Sequence, residues 1–441
     1  MTSTRLRGLA AALAISITAL GCSSGTDSTE TAEAKATVEA AAASTTPTST
    51  AASSADPLAD AGEPSAGEAS AVEGSGATRL AVPEEYLARL AAEGIDIADV
   101  EFPEQPDGLA WPTASWERAT GGDGDGEAQG QVRAEVQAVI DGAFGDDPED
   151  PDRVDAVLVV QHGRVIAEGY HPRFDPVEPH HSWSMAKSMT SALVGVLADA
   201  GRLDIFESVG APEWNEPGDA RSAITTNDLL HMASGLAWSE EYFNPDSDVL
   251  QVIGPQNDRA RYAANKPLEH PPGTVFEYST GTTNIIARRI ADEVGYGDAL
   301  VKWIDDSLFG PIGVTSLEHS LDPVGNVSGG SWFRMTVEDF ARFGYLFLRG
   351  GRWDGQRILS QDWINYSWTP TAANPERTYG AQWWISTDRP GVFSANGFDG
   401  QRIVIVPDRD LVFVVLSATR RERHLAVVNA ILDAFAVEAA H

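Results

Sequence analysis

Two pairs of short apolar runs, one near residue 160 and one near residue 410, bracket the part of the chain able to fold. Val154 to Val160 and Arg164 to Tyr170 are joined by Gln161-His162-Gly163, and Gln401 to Val406 and Leu411 to Leu416 by Pro407-Asp408-Arg409-Asp410. Runs of this length, rich in β-branched residues and split by a few turn formers, predict β-hairpins. Between them the periodicity is helical. A Thr225-x-x-Asp228 cap opens a helix expected to stop at Ser234-Gly235, a second helix runs from about Thr282 through Ile285, Ile286 and Ile290, and a third spans Thr336 to Arg349. Val132 to Phe144 and His424 to Ala439 read as amphipathic helices on the flanks. A hairpin at each end with helices between predicts an α/β composition of the α+β type, with one antiparallel sheet flanked by helices.

Upstream of residue 81 the chain carries different signals. Arg5 and Arg7 precede an apolar run, Gly8 to Leu20, too short to span a membrane, so residues 1–21 read as an export signal. The signal ends in Ala19-Leu20-Gly21-Cys22, which resembles a bacterial lipoprotein lipobox. Cys22 is the only cysteine and would be the lipidation site. That motif prefers Leu where Ala19 stands and a small residue where Leu20 stands. Cleavage by an ordinary signal peptidase, leaving a free thiol, therefore stays open. Residues 22–80 are Ser, Thr, Ala, Gly, Glu and Asp without an aromatic residue, a low-complexity linker unable to bury enough apolar surface to order itself. The expectation is an exported protein, lipid-anchored on the outer face of the cell membrane, with its folded domain at 81–441. A net charge of −34 argues against nucleic acid as a partner and against polybasic attachment to anionic lipid.

The chemistry centres on His180-His181-Ser182-Trp183-Ser184-Met185-Ala186-Lys187. Met185, Met189, Leu193, Val196 and Leu197 follow helical spacing, which places Ser184 in a first turn with Lys187 three residues on, on the same face. Only four lysines occur, at 35, 187, 266 and 302, in a chain that otherwise uses Arg. A partly buried Lys can release a proton, which Arg cannot. A hydroxyl one turn from such an amine, at the positive end of a helix, can become a nucleophile. A surface helix with the same four-residue pattern is the competing reading.

Such a pair needs a second proton handler and an oxyanion hole. Tyr278, after Pro271-Pro272-Gly273 and just before a helix, is a candidate for the first, since the helix N-terminus would favour its phenolate form. Asn396-Gly397-Phe398-Asp399-Gly400-Gln401 leads into a strand, and its glycines would let a substrate approach the backbone. Other chemistries lack support. Gly121 to Glu127 resembles a calcium loop, but Ala128 and Ala134 stand where Gly and Glu are needed. Gly-x-Ser-x-Gly occurs only across the expected signal cleavage site, and no His-Glu-x-x-His is present. His231 reads as a core or helix-face histidine, and Trp332, Trp383 and Trp384 as core aromatics that could instead line a cleft.

Taken together, these pieces resemble the serine β-lactamase-like hydrolases. The branch resembled holds class C β-lactamases, D-alanyl-D-alanine carboxypeptidases, family VIII esterases and 6-aminohexanoate-dimer hydrolase. The resemblance covers about residues 130 to 440. It rests on Ser184-Met185-Ala186-Lys187, Leu229 to Leu236, Pro272-Gly273 with Phe276-Glu277-Tyr278-Ser279, Ala341-Arg342-Phe343-Gly344, and Gly397 to Arg402 followed by Val406-Pro407-Asp408. It implies a β-lactamase/transpeptidase-like fold with a helical subdomain inserted at about 205–325. It also implies Ser184 as nucleophile, Lys187 and Tyr278 as shared base and acid, and the N–H groups of Ser184 and Gln401 as oxyanion hole. Phe398, Asp399 and Gly400 would contact substrate, and no metal or cofactor is implied. Two departures bear on substrate. Thr280 stands where relatives have the Asn of Tyr-x-Asn, and Phe398-Asp399-Gly400 replaces their Lys-Thr-Gly or His-x-Gly, removing a carboxylate-binding cation. Arg402 could replace that cation if its side chain faces the site. The expected activity is hydrolysis of a small-molecule ester or amide through an acyl-enzyme. The alternatives are a β-lactamase or carboxypeptidase-type penicillin-interacting protein and a non-catalytic binding protein on the same fold.

Overall fold

The two end hairpins meet in the middle of one sheet. The computed structural model describes residues 80–120, 127–145, 150, 153–254, 258–418 and 423–436. The export signal, Cys22, nearly all of the 22–80 linker and residues 121–126 of the loop tested for calcium lie outside the described residues. Strands β1 (Val154–Gln161), β2 (Arg164–Tyr170), β3 (Trp384–Ile385), β4 (Phe393–Asn396), β5 (Arg402–Val406) and β6 (Leu411–Ser417) lie in the order β2-β1-β6-β5-β4-β3. Neighbours are antiparallel throughout. Val157 faces Val415 and Val160 faces Val412, so the first and last strands form the sheet's centre. The fold is the β-lactamase/transpeptidase-like one, an antiparallel sheet with helices on both faces.

β1 and β6 are buried along their whole length, which explains why both read as continuous apolar runs. Alternate residues serve opposite faces. Ala156, Leu158, Val160, Val412 and Val414 join the core that holds Met189 and Leu193 of helix α2 (Met185–Asp199), Ile286 of α3 (Thr280–Val294) and Phe340 of α4 (Val337–Leu348). Val157, Val159, Phe413 and Val415 pack against α1 (Glu127–Ala143) and α5 (Arg423–Ala436). Each fully buried side chain of this kind contributes roughly 1.5–3 kcal/mol.

Local chemistry sets the helix ends. Thr225 accepts from the Asp228 N–H while Asp228 reaches back to the Thr225 N–H, and this capping box opens the Thr226–Leu230 helix. That helix stops four residues before the expected Ser234, because Met232 turns into the left-handed region at φ 54°. Thr336 caps α4 by accepting from the Asp339 N–H, and Ser279 caps α3 by accepting from the Thr282 N–H. A second sheet sets Phe333–Met335 between His180–His181 and Glu318–His319. It anchors the chain just before α2.

Candidate active site

Ser184 is placed by the strand that precedes it. Ser182 donates its backbone N–H to the Phe333 carbonyl at 2.9 Å and accepts the Phe333 N–H on its hydroxyl at 3.0 Å. Trp183 then adopts φ 46°, a left-handed conformation uncommon for a bulky residue. The sharp turn leaves Ser184 at the N-cap of α2, one residue outside the first turn expected of it, with its side chain at the positive end of a 15-residue helix. Its N–H precedes the first intrahelical hydrogen bonds, at the open end of α2.

Lys187 lies directly beneath, with its side chain buried. Its Nζ reaches the Ser184 hydroxyl at 3.1 Å, the Thr280 hydroxyl at 2.9 Å and the Gly330 carbonyl at 2.8 Å. Burial pulls its pKa down to about 8, against the opposing attraction of Glu240. Tyr278, two residues before α3, lies close enough to Ser184 for that hydroxyl to pull its pKa down, and places its ring 4.9 Å from the Lys187 amine. Tyr379 and Trp384 flank that ring at 5.8 and 5.6 Å. The expectation that the helix would favour a Tyr278 phenolate is corrected here. Burial and the Glu240 charge push its pKa well up, outweighing the downward pull of Ser184 and Arg402. Tyr278 is a proton donor at neutral pH, and Lys187 is the group able to be neutral.

Two residues of the cluster escaped the sequence reading. The Tyr242 hydroxyl donates to Glu240 Oε1 at 2.9 Å and lies near enough to Ser184 to be influenced by it. Glu240 also receives the Trp238 indole N–H at 2.5 Å, the Thr280 N–H at 3.0 Å and the Thr280 hydroxyl at 2.5 Å. The available signal was the alternation in Trp238-Ser239-Glu240-Glu241-Tyr242, which in an extended segment puts three functional side chains on one side.

The 397–401 turn forms the facing wall. The Phe398 ring meets Trp183 at 5.2 Å and Tyr242 at 4.8 Å, an aromatic rim beside Ser184. Asp399 (φ 59°) and Gly400 (φ 92°) are buried in left-handed conformations. The glycines serve packing rather than an open approach for substrate. A Cβ on Gly397 would lie 2.4 Å from the Ser182 carbonyl oxygen, and one on Gly400 2.6 Å from the His424 ring. The Gln401 carboxamide is docked on β6, giving a hydrogen bond to the Ser417 carbonyl and taking one from its N–H. Arg402 is buried, donates Nη1 to the carbonyls of Gly397 and Gln401, and lies near enough to Tyr278 to lower its pKa. Burial brings Arg402 itself down to about 10.

The remaining aromatic and histidine residues divide. Trp383 is core, its ring tilted 4.6 Å from that of Phe347, while Trp384 packs on Tyr278 and Trp332 on His181 at 4.3 Å. His231 is buried between the Tyr86 and Thr371 hydroxyls, and burial drives its pKa to about 3.

The family model for β-lactamase matches residues 149–438. A 6-aminohexanoate-dimer hydrolase of Paenarthrobacter ureafaciens is 28% identical over 286 residues, 60% of this chain and 72% of that protein. Among solved structures, a candidate 6-aminohexanoate-dimer hydrolase of Bacillus anthracis superposes with a TM-score of 0.59 at 22% identity, covering 82% of this chain and 96% of that one. EstCE1, a hydrolase with promiscuous acyltransferase activity, gives 0.56 at 15% identity, covering 70% and 99%. The family match takes in well over half of the chain and every residue gathered around Ser184, so the chain belongs to the β-lactamase family of serine hydrolases.

Proposed function

We propose that the protein hydrolyses an ester or amide bond through an acyl-enzyme on Ser184. The observation that carries this reading is the 3.1 Å contact between the Ser184 hydroxyl and a fully buried amine whose pKa has fallen to about 8. Neutral Lys187 takes the Ser184 proton as the oxygen attacks the substrate carbonyl. The negative charge gathers on the carbonyl oxygen, within reach of the Ser184 and Gln401 N–H groups and the N-terminus of α2. Collapse expels the alcohol or amine, which takes a proton from the Tyr278 hydroxyl, and Lys187 returns the Ser184 proton to Tyr278. Water, deprotonated by the same amine, then attacks the acyl carbonyl; collapse releases the acid and expels the Ser184 oxygen, which takes that proton back from Lys187. The rim of Trp183, Phe398 and Tyr242 fits an apolar or aromatic portion of the substrate. An amide substrate is in keeping with the P. ureafaciens relative, and an ester with EstCE1.

A second reading, cleavage of a β-lactam or a peptide ending in a carboxylate, is favoured by Arg402. Its buried guanidinium, held by the Gly397 and Gln401 carbonyls, is felt by Tyr278, and turned toward the site it would be a cation where the Lys-Thr-Gly lysine is absent. A fluorophosphonate that labels the protein, with labelling abolished by Ser184→Ala, tests the nucleophile. A labelled Ser184→Ala protein sinks the assignment. Release of p-nitrophenol from short-chain esters with little nitrocefin turnover separates the two substrate classes, and labelling without turnover of any ester, amide or β-lactam would mark a binding protein. Extracytoplasmic attachment through a lipid on Cys22 is also proposed, on the 5–22 pattern. Loss of the full-length protein from the membrane fraction on Cys22→Ser is the expected result, and retention there would contradict it.

A further inference from the structure

Thr280 stands where this family carries the Asn of Tyr-x-Asn, and a hydroxyl is a less defined partner than a carboxamide. It holds one proton and two lone pairs and can rotate to offer either. Here the rotation is settled by Glu240. Its Oε1 lies 2.5 Å from the Thr280 hydroxyl oxygen, and Lys187 Nζ lies 2.9 Å from the same oxygen. With its proton committed to the carboxylate, the hydroxyl can only accept from the amine. The Gly330 carbonyl, 2.8 Å from Nζ, is a second fixed acceptor. A neutral amine has two N–H bonds and one lone pair. Two fixed acceptors take both N–H bonds, and the lone pair is left pointing at the third neighbour, the Ser184 hydroxyl.

We propose that Glu240 is a positioning residue for acylation, acting through the Thr280 hydroxyl to aim the lone pair of Lys187 at Ser184. The inference rests on the acyl-enzyme reading above. The carboxylate is suited to this work because it meets donors only. Oε1 takes the hydroxyls of Thr280 and Tyr242, and Oε2 takes the Trp238 indole N–H and the Thr280 backbone N–H. A carboxamide in either orientation would set its NH2 against two of those donors, so Gln cannot substitute in place. The charge matters as well as the geometry. Charged and titratable groups around the amine are Glu240 and Tyr242 from the loop after the Thr226–Leu230 helix and Tyr278 from the segment before α3, with Arg402 of β5 acting on Tyr278. Glu240 is the one that holds the ammonium form in place against burial.

The test measures the rate of Ser184 labelling by a fluorophosphonate between pH 6 and 10 in the full chain. Thr280→Val should lower the plateau rate by about 10- to 100-fold, the worth of one hydrogen bond to a charged group, and Thr280→Ser should restore most of it. Glu240→Gln should slow labelling and also move the acid limb to lower pH, because the charge that favoured the ammonium is gone. A residue that served only the fold would lower the rate without moving that midpoint. Wild-type rates in Thr280→Val, or a Glu240→Gln midpoint at the wild-type pH, overturn the proposal. If Glu240→Gln does not fold, Glu240→Asp, which keeps the charge and shortens the reach, should slow labelling with its midpoint held, and a wild-type rate there overturns the proposal equally. Failure of the wild-type protein to label at Ser184 would overturn the acyl-enzyme reading itself. Labelling of the wild type with indifferent variants would remove only the role of Glu240.

Discussion

The pH dependence of acylation follows from one amine. With a pKa of about 8, about one Lys187 in eleven is neutral at pH 7; at the ordinary 10.5, about one in three thousand would be. Burial therefore raises the population of competent base about 300-fold. The sign is fixed by the role. The base must be unprotonated, so the labelling rate is low below pH 8 and rises tenfold per unit towards a plateau above it. Tyr278 must keep its proton, and its pKa lies well above the ordinary tyrosine value, so the plateau extends to pH 10 instead of turning down into a bell. Replacement by an apolar chain of similar length, Lys187→Met, removes the base while Ser184 keeps the helix N-terminus, and should lower the rate by about 10²–10⁴ with the acid limb abolished. The assay is single-turnover labelling with a fluorophosphonate, checked by the burst of p-nitrophenol from p-nitrophenyl acetate. A wild-type midpoint above pH 10, or Lys187→Met labelled within about tenfold of wild type, refutes the assignment of Lys187 as base.

Two further substitutions probe the scaffold that holds the cluster. Arg349 is buried and gives hydrogen bonds to Asp410 at 2.6 Å, the Tyr345 hydroxyl at 2.7 Å and the Pro103 carbonyl at 3.2 Å. Arg349→Met removes the guanidinium while His162 Nδ1, 3.1 Å away, still partners the Asp410 carboxylate, and should destabilise by about 1.5–3 kcal/mol, read as a fall in the urea midpoint at unchanged m-value. Gly281 lies against the Trp238 indole, where a Cβ would come within 2.3 Å of the ring. Gly281→Ala should cost about 1–3 kcal/mol and, by pushing Trp238 off Glu240, slow Ser184 labelling more than thermal stability alone explains. Unchanged labelling in a folded Gly281→Ala protein would show that Trp238 does not help to hold Glu240.

What the sequence made legible was whatever repeats at short range. Both hairpins, the Thr225 and Thr336 caps and the Ser184 helix are written in consecutive residues, and their observed bounds lie within a few positions of the expected ones. Strands β3 and β4 were not legible. Trp384–Ile385 is two residues long, and Phe393-Ser394-Ala395-Asn396 becomes a strand by pairing with β5, through contacts that no local pattern encodes. The orientation of Arg402 hung on the same pairing. Once Arg402 lies opposite Asn396 at the start of β5, its side chain reaches back over the carbonyls of the 397–401 turn and its charge is felt by Tyr278.

The same distinction separates Lys187 from Glu240. Lys187 is three residues from Ser184, so the pitch of a helix is enough to join them. Glu240 reaches that amine through Thr280, forty residues later in the chain, and neither residue is unusual by itself in a sequence with 65 acidic side chains. A threonine in the asparagine position looks from sequence like a loss, since one fixed acceptor has been exchanged for a rotor. In three dimensions the exchange is compensated by a carboxylate whose four hydrogen bonds all come from donors. A motif departure of this kind is therefore no argument against activity until the neighbours of the substituted residue are known. For this chain those neighbours argue that the base remains aimed, and that its pH midpoint answers to Glu240.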